Sequence, residues 1–301
     1  MIDFPMVYKI SDDIKSLQSL KNQMPTENER NAAFEFPVVY IHTWKKDKEY
    51  EVYVGEANDI IQRTMNHYAD IKKANDWHIN IGIKSQNPEL YVISHNHFNK
   101  SLTMDIENQL IHYMSSIPNV RTANGRGNPQ NQYFPDEEFS PIFKNVWNKL
   151  RNLNKDLFAA EEDIVNNAFF KASPLHKLSS EQIEAKTNIL EVIRKILSKK
   201  NDSHAVIFVE GEAGSGKTVL NSSIFYELCT IQNEEEPLSL GLNKLKCSFL
   251  INHDEQVKVF QQIVNRLGLV AAEGQELVSK PTRFINRNNP ENNLIFKALE
   301  K

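Results

Sequence analysis

Apolar residues recur along this chain with two periods, and the period tells the elements apart. Phe36 to Thr43 (FPVVYIHT) and Tyr50 to Gly55 (YEVYVG) are short runs rich in Val, Tyr and Ile, which predicts two strands. The polar KKDK between them predicts a hairpin. Ile61, Met65 and Tyr68 then fall at helical spacing and predict a helix over 58–73. A short helix is expected at 11–24, a third strand from Leu90 to Ser94, and a further helix over 102–116. Residues 119–133 (NVRTANGRGNPQNQY) read as a loop by composition. Ile142, Val146 and Leu150 predict a helix over 140–152. Residues 1–152 therefore read as a small mixed α/β domain.

The polar and acidic stretch NLNKDLFAAEED, followed by FKASPLHK, reads as a linker over 153–177. Beyond it Ile183, Leu190, Ile193 and Leu197 mark an amphipathic helix. The apolar run Ala205 to Glu210 predicts a strand leading into GEAGSGKT, then a helix from Lys217, a strand from Cys247 to Ile251 and a helix from about Glu255. This β-α-β-α order predicts a parallel sheet for a second domain over 178–301.

Composition narrows the function classes. The chain has 301 residues, 40% of them hydrophobic and 25% charged, so it forms cores and is not wholly disordered. With 35 basic and 39 acidic residues the net charge is −4, which excludes a globally basic nucleic-acid coat. No apolar run approaches the roughly 18 residues of a membrane span, and the N-terminus lacks the layout of a signal peptide. Cys229 and Cys247 are the only cysteines, which argues against a disulfide scaffold or a structural zinc site and fits a reducing, cytoplasmic setting.

Gly211, Gly214, Gly216, Lys217 and Thr218 satisfy G-x-x-x-x-G-K-[ST] between a predicted strand and a predicted helix. Glycine is scarce here, 10 in 301, yet three fall within six positions. Glycines let backbone N–H groups, including that of Ser215, turn toward phosphate oxygens, and the helix N-terminus adds its positive end. Lys217 is expected to reach the β- and γ-phosphates of ATP, and the Thr218 hydroxyl to ligate Mg²⁺. Upstream, Gln182 in LSSEQ resembles the glutamine motif of superfamily-1 helicases, which implies an amide that reads the adenine edge. FKASPLHKLSSEQ followed by VEGEAGSGKT resembles the start of the helicase-like domain grouped with Schlafen proteins. Such a domain needs a strand ending in Asp-Glu to handle Mg²⁺ and water. Asp254 in SFLINHDE is one candidate. The favoured reading makes Asp254 a cap of the following helix and places the acid beyond residue 301, supplied by a partner or downstream polypeptide. The chain is then expected to bind ATP and to hydrolyse it poorly.

The first domain carries VVY at Val38 to Tyr40, YVG at Tyr53 to Gly55, Arg63, His67, Glu107 and Asn124. In order and spacing this set resembles the GIY-YIG endonuclease family over about residues 35–130, although VVY departs from GIY at two positions. Phosphodiester hydrolysis needs a cation against developing charge, a proton acceptor for water and fixed geometry. The resemblance implies Glu107 as ligand of Mg²⁺ or Mn²⁺, Arg63 as the phosphate contact, and Tyr40 as general base with Tyr53 as companion. A Tyr pKa near ~10 is too high unless nearby cations lower it, so His67 is the rival base. Asn124 either orients substrate or shapes its turn. Arg121 and Arg126 are candidate DNA-backbone contacts, and His95 and His97 read as surface residues. The expected function is metal-dependent DNA cleavage coupled to a nucleotide-binding module, in repair, restriction or defence. The competing readings are a nucleotide-gated nucleic-acid-binding protein with an inactive nuclease fold, and a stand-alone ATPase motor.

Overall fold

The computed structural model of the chain describes residues 4–69, 88–124, 136–198, 206–230, 246–270 and 275–288. It divides into two compact units, Met1–Phe170 and Lys171–Lys301, and is of the α/β class.

The first unit opens with β1 (Met6–Ser11), α1 (Ile14–Gln23) and α2 (Glu27–Phe34). Asp13 caps α1 by accepting the Ser16 N–H at 2.8 Å, and Thr26 caps α2 through Glu29 N–H. β2 (Val38–Lys46) and β3 (Glu49–Ala57) form the expected hairpin, turning at Asp47, whose φ of 56° is one an Asp tolerates. α3 (Ile60–Ala69) follows, capped by Asp59, which accepts from Gln62 N–H at 2.9 Å. β4 (Glu89–Ser94), α4 (Lys100–Ser115) and β5 (Val120–Thr122) complete a five-stranded sheet of order β1-β4-β2-β3-β5. Every pair is antiparallel except β3 and β5, which are parallel. A 3-10 turn at Asp136–Glu138, α5 (Phe139–Leu153) and the short α6 (Glu161–Asn166) and α7 (Ala168–Ala172) follow.

Strand alternation sends successive residues to opposite faces. Val38, Tyr40, Leu90 and Val92 face one way and pack with Leu17, Phe34 and Ile60 of α1, α2 and α3. Tyr91 faces the other way, its ring 5.4 Å from Phe158, which in turn lies 5.5 Å from Trp147 of α5.

Several expectations are corrected here. β1 and α2 lack a clear sequence signal and exist because β1 pairs with β4 and α2 closes the α-side core. Residues 120–122, expected in a loop, form a strand because β3 offers them a free edge. Residues 154–170 are not a bare linker. Leu157, Phe158, Phe169 and Phe170 are buried, and Trp147 Nε1 donates to Ala159 O at 3.1 Å. The unit boundary, at Phe170–Lys171, falls inside the expected linker. Residues 70–73 of the expected third-helix span, the loop beyond Asn124 and Arg126 lie outside the described residues.

The second unit contains α8 (Ser180–Ser198), α9 (Lys217–Thr230), β6 (Phe249–Leu250), α10 (Asp254–Arg266), β7 (Val278–Ser279) and α11 (Pro281–Asn288). β6 and β7, a strand that the sequence reading does not include, pair in parallel. Leu190, Leu220 and Ile224 form a small core against Val209. Phe249 of β6 packs 5.2 Å from Phe225 and 4.5 Å from Phe260. The strand expected at 205–210 is not formed over 206–210, and Ala205 lies outside the described residues. Among the described residues no neighbour pairs with this run, and Val206 and Phe208 are 76% and 85% exposed. No described helix is long and apolar enough to cross a membrane.

Trp147 tests the extent of the first unit. It is 1% exposed and joins α5 to the 154–160 segment. Trp147→Ala is expected to lower unfolding free energy by about 3–5 kcal/mol in urea denaturation. A loss below about 1 kcal/mol would show that the segment packs loosely.

Candidate active site and nucleotide loop

In β2 and β3 the register places Tyr40 opposite Gly55 and His42 opposite Tyr53. Directly opposed residues share a face, so the Tyr40 ring lies over Gly55. A Cβ at Gly55 would stand 2.4 Å from both Cζ and the hydroxyl of Tyr40. The glycine of YVG is therefore required by the tyrosine of VVY. Tyr53 stacks beside Tyr40 with ring centroids 6.3 Å apart.

Helix α3 then delivers two side chains to one atom. Arg63 and His67, four residues apart, both reach the Tyr40 hydroxyl, His67 Nε2 at 2.9 Å and Arg63 Nε at 3.2 Å. Burial raises the Tyr40 pKa well above that of an ordinary phenol, and the nearby Tyr53 adds to this. The Arg63 hydrogen bond and charge oppose it, and the Glu107 charge raises it further. Tyr40 therefore keeps its proton, and that proton needs an acceptor. Arg63 offers none and donates its Nε–H to the Tyr40 oxygen, whereas His67 Nε2 can accept from Tyr40 in the tautomer that carries its proton on Nδ1. Burial lowers the Arg63 pKa, but its bond to Tyr40 and the nearby tyrosines outweigh this, and the net shift is upward.

Glu107 lies on α4, capped by Asn99, which accepts from Leu102 N–H at 3.0 Å. Glu107 is buried to 6% exposure, yet it lines an open cavity of about 700 Å³ together with Tyr53, Gly55, Arg63, Lys100 and Asn124. Lys100, two helical turns before Glu107, is paired with Glu56 on the same wall. Glu107 is a hard oxygen donor with space around it. This suits Mg²⁺, which keeps several waters and binds through one or two carboxylates.

Asn124 has a structural task. Its Nδ2 donates to Val54 O at 2.7 Å and its Oδ1 accepts from Val54 N–H at 3.3 Å. The side-chain amide thus extends the β3–β5 ladder by one step and holds the cavity wall against β3. Arg121 is exposed on β5. His95, expected at the surface, is fully buried, and its Nδ1 accepts the His97 N–H at 3.0 Å. His97 is half exposed and pairs with Glu138 at 2.8 Å.

In the second unit Gly214 and Gly216 adopt φ of 83° and 79°, the left-handed region that favours glycine. Lys217 Nζ donates to the carbonyls of Gly211 and Glu212, both at 2.7 Å, and so closes the loop on itself. Thr218 is exposed in the first turn of α9. Gln182 is engaged within the chain. Ser179 Oγ accepts from Gln182 N–H at 3.3 Å, while Gln182 Oε1 accepts from Ser179 N–H at 3.0 Å, a reciprocal capping box at the start of α8. Its Nε2 donates to Ser215 O at 3.0 Å, and a Cβ on Gly216 would meet it at 2.3 Å. The S-x-x-Q spacing could have revealed this box from sequence.

A family comparison bears on this second unit. Residues 204–296 match the Schlafen group 3 DNA/RNA helicase domain family. The chain is also 27% identical over 149 residues to the uncharacterized protein YPL245W of Saccharomyces cerevisiae, a match covering 48% of this chain and 32% of that protein. The chain thus spans about a third of this relative's length. No solved structure matches the chain significantly.

The helicase-like segment includes Asp254. It is not the cap that the sequence reading expects. His253 takes the N-cap position with no side-chain bond, and Asp254 is the first residue of α10. Its carboxylate pairs with Lys280 at 2.6 Å, and the Lys280 hydrogen bond holds its pKa below the usual carboxylate range.

Gly55→Ala should destabilise the first unit by about 1–3 kcal/mol, the range for overpacking a filled core, because the Tyr40 ring must move. Thermal and urea denaturation read this directly. An unchanged midpoint would mean that the ring has a second place to go.

Proposed function

We propose that the first unit is a GIY-YIG-type endonuclease that hydrolyses DNA phosphodiesters with a divalent metal, and that the helicase-like second unit binds ATP. The observation that carries the reading is the Tyr40 hydroxyl within hydrogen-bond distance of both His67 Nε2 and Arg63 Nε–H, beside a cavity lined by Arg63 and Glu107. In this reading Tyr40 and His67 act in series. Tyr40 gives its proton to His67 and its oxygen takes one from the attacking water, so no long-lived phenolate is needed in a buried site. Arg63 offsets the negative charge on the Tyr40 oxygen and on the phosphate. Glu107 would hold Mg²⁺ or Mn²⁺, which supplies Lewis-acid neutralisation of the phosphate when bound. Tyr53 walls the cavity beside Tyr40, and Asn124 keeps β5 in place. Lys100 stands on the same wall, paired with Glu56.

Supercoiled plasmid should be nicked in Mg²⁺ and left intact in EDTA. Arg63→Ala should lower the rate about 10²–10³-fold, the cost of one missing donor to transition-state charge, and Glu107→Gln should lower it at least as much. Full activity in folded Glu107→Gln would remove the metal role. His67→Gln, which removes the acceptor of the Tyr40 proton, should lose most of the rate. Full activity in folded His67→Gln would return the base role to Tyr40 alone.

For the second unit, the loop has the backbone for phosphate binding, with Lys217 ready to exchange two carbonyls for phosphate oxygens. Asp254 is occupied by Lys280 and stands at the start of a helix, so no acid for water activation is assigned to it. ATP binding by calorimetry should weaken about 10–100-fold in Lys217→Ala, the range for a hydrogen bond to a charged group. Phosphate release should be slow with or without DNA. Fast turnover that Asp254→Asn abolishes would make Asp254 the Mg²⁺ acid.

A further inference from the structure

Two ionisable side chains buried in the first unit have no part in the chemistry above. Asp12 follows β1 and is 6% exposed, and His42 on β2 is 2% exposed. His42 Nδ1 lies 2.8 Å from Asp12 Oδ2. The backbone of Asp12 is itself anchored, its N–H donating to Pro88 O at 3.0 Å. Burying such a pair is costly, and an apolar pair of similar volume is often at least as stable, so the pair is a poor device for stability alone.

Its location gives it another use. His42 is two residues after Tyr40 on the same face of β2, and three rings surround it. The Tyr40 ring is 5.2 Å away at 78°, the His67 ring 5.7 Å at 81°, and the Tyr53 ring 6.3 Å at 51°. The side chain that carries the proton and the one that accepts it both pack on His42.

We propose that Asp12 and His42 are positioning residues for the Tyr40–His67 pair. The Asp12 carboxylate accepts the His42 Nδ1 proton, which sets both the protonated nitrogen and the rotation of the ring. The ring then fixes how Tyr40 and His67 stand relative to each other. Asp12, just after β1, lies outside residues 35–130, so the proposed active site depends on an N-terminal segment that the nuclease resemblance does not include. The catalytic consequence rests on the nuclease reading, whereas the ring geometry does not.

The test uses the full chain labelled with ¹⁵N-histidine, read by long-range ¹H–¹⁵N correlation, together with plasmid nicking and DNA affinity in EDTA. In the wild type His42 should carry its proton on Nδ1. In Asp12→Asn the His42 signals should change and those of His67 should shift with them. The kcat for nicking should fall at least tenfold, with KM and DNA affinity within about twofold. A purely structural role would lower the melting temperature and leave the His67 signals and the kcat of the folded protein unchanged, and that result overturns the proposal. His42→Gln is expected to give the same loss of kcat, and normal kcat in it also overturns the proposal. Should neither variant fold, a wild-type His42 with Nδ1 unprotonated is sufficient to refute it. If the wild type shows the expected His42 state and the coupled His67 shift but never nicks DNA, the nuclease reading fails and the positioning role stands.

Discussion

One cross-strand contact organises the first unit: the Tyr40 ring lying over the bare Cα of Gly55. The β2–β3 register creates it, and a slip of one residue would take Gly55 out from opposite Tyr40. With the ring in place, its hydroxyl lies at the surface of α3 that presents Arg63 and His67. His67 Nε2 and Arg63 Nε meet that hydroxyl at 2.9 and 3.2 Å. A buried phenol with no acceptor would cost on the order of 1–3 kcal/mol. The geometry that brings Arg63 and His67 to the Tyr40 hydroxyl is what makes burying Tyr40 tolerable.

The sheet and its helices divide the work around that contact. The α1–α3 face forms a core from Leu17, Phe34, Val38 and Ile60 that holds the tyrosine from behind. On the far side of the cavity α4 brings Glu107, and Asn124 pins β5 to β3 through two amide bonds. Buried polar groups of this kind are high-stakes, since each must be paired where water cannot reach. The Asp12–His42 pair belongs to the same network and ties the first strand to the second.

The glycine loop follows the same logic with different residues. Its glycines supply left-handed backbone, and Lys217 satisfies the loop carbonyls of Gly211 and Glu212. Gln182 closes the start of α8 and touches the loop at Ser215, so the helix before the loop and the loop itself are mechanically joined. Similarity to the Schlafen group 3 helicase domain over 204–296 covers the loop and both short strands. The apolar run 206–208 has a composition that favours a strand, yet among the described residues no neighbour pairs with it and its side chains are exposed.

Local signals were enough for the elements with strong periodicity. The hairpin, α3, α4, α5 and the glycine loop follow from residue types and spacing, because each depends on contacts within a few positions. So does the grouping of Arg63 with His67 on one helix face. Tertiary structure alone decided the rest. β1, β5 and the packed 154–170 segment exist because another part of the chain offers an edge or an apolar face. No local pattern could show that His95 is buried, that Asp254 pairs with Lys280, or that Asp12 meets His42 across 30 residues. The state of Tyr40 was likewise undecidable from sequence. Its composition context permits either a phenolate lowered by cations or a phenol raised by burial. Burial is the larger effect in the folded chain, and only the folded chain has a burial to measure.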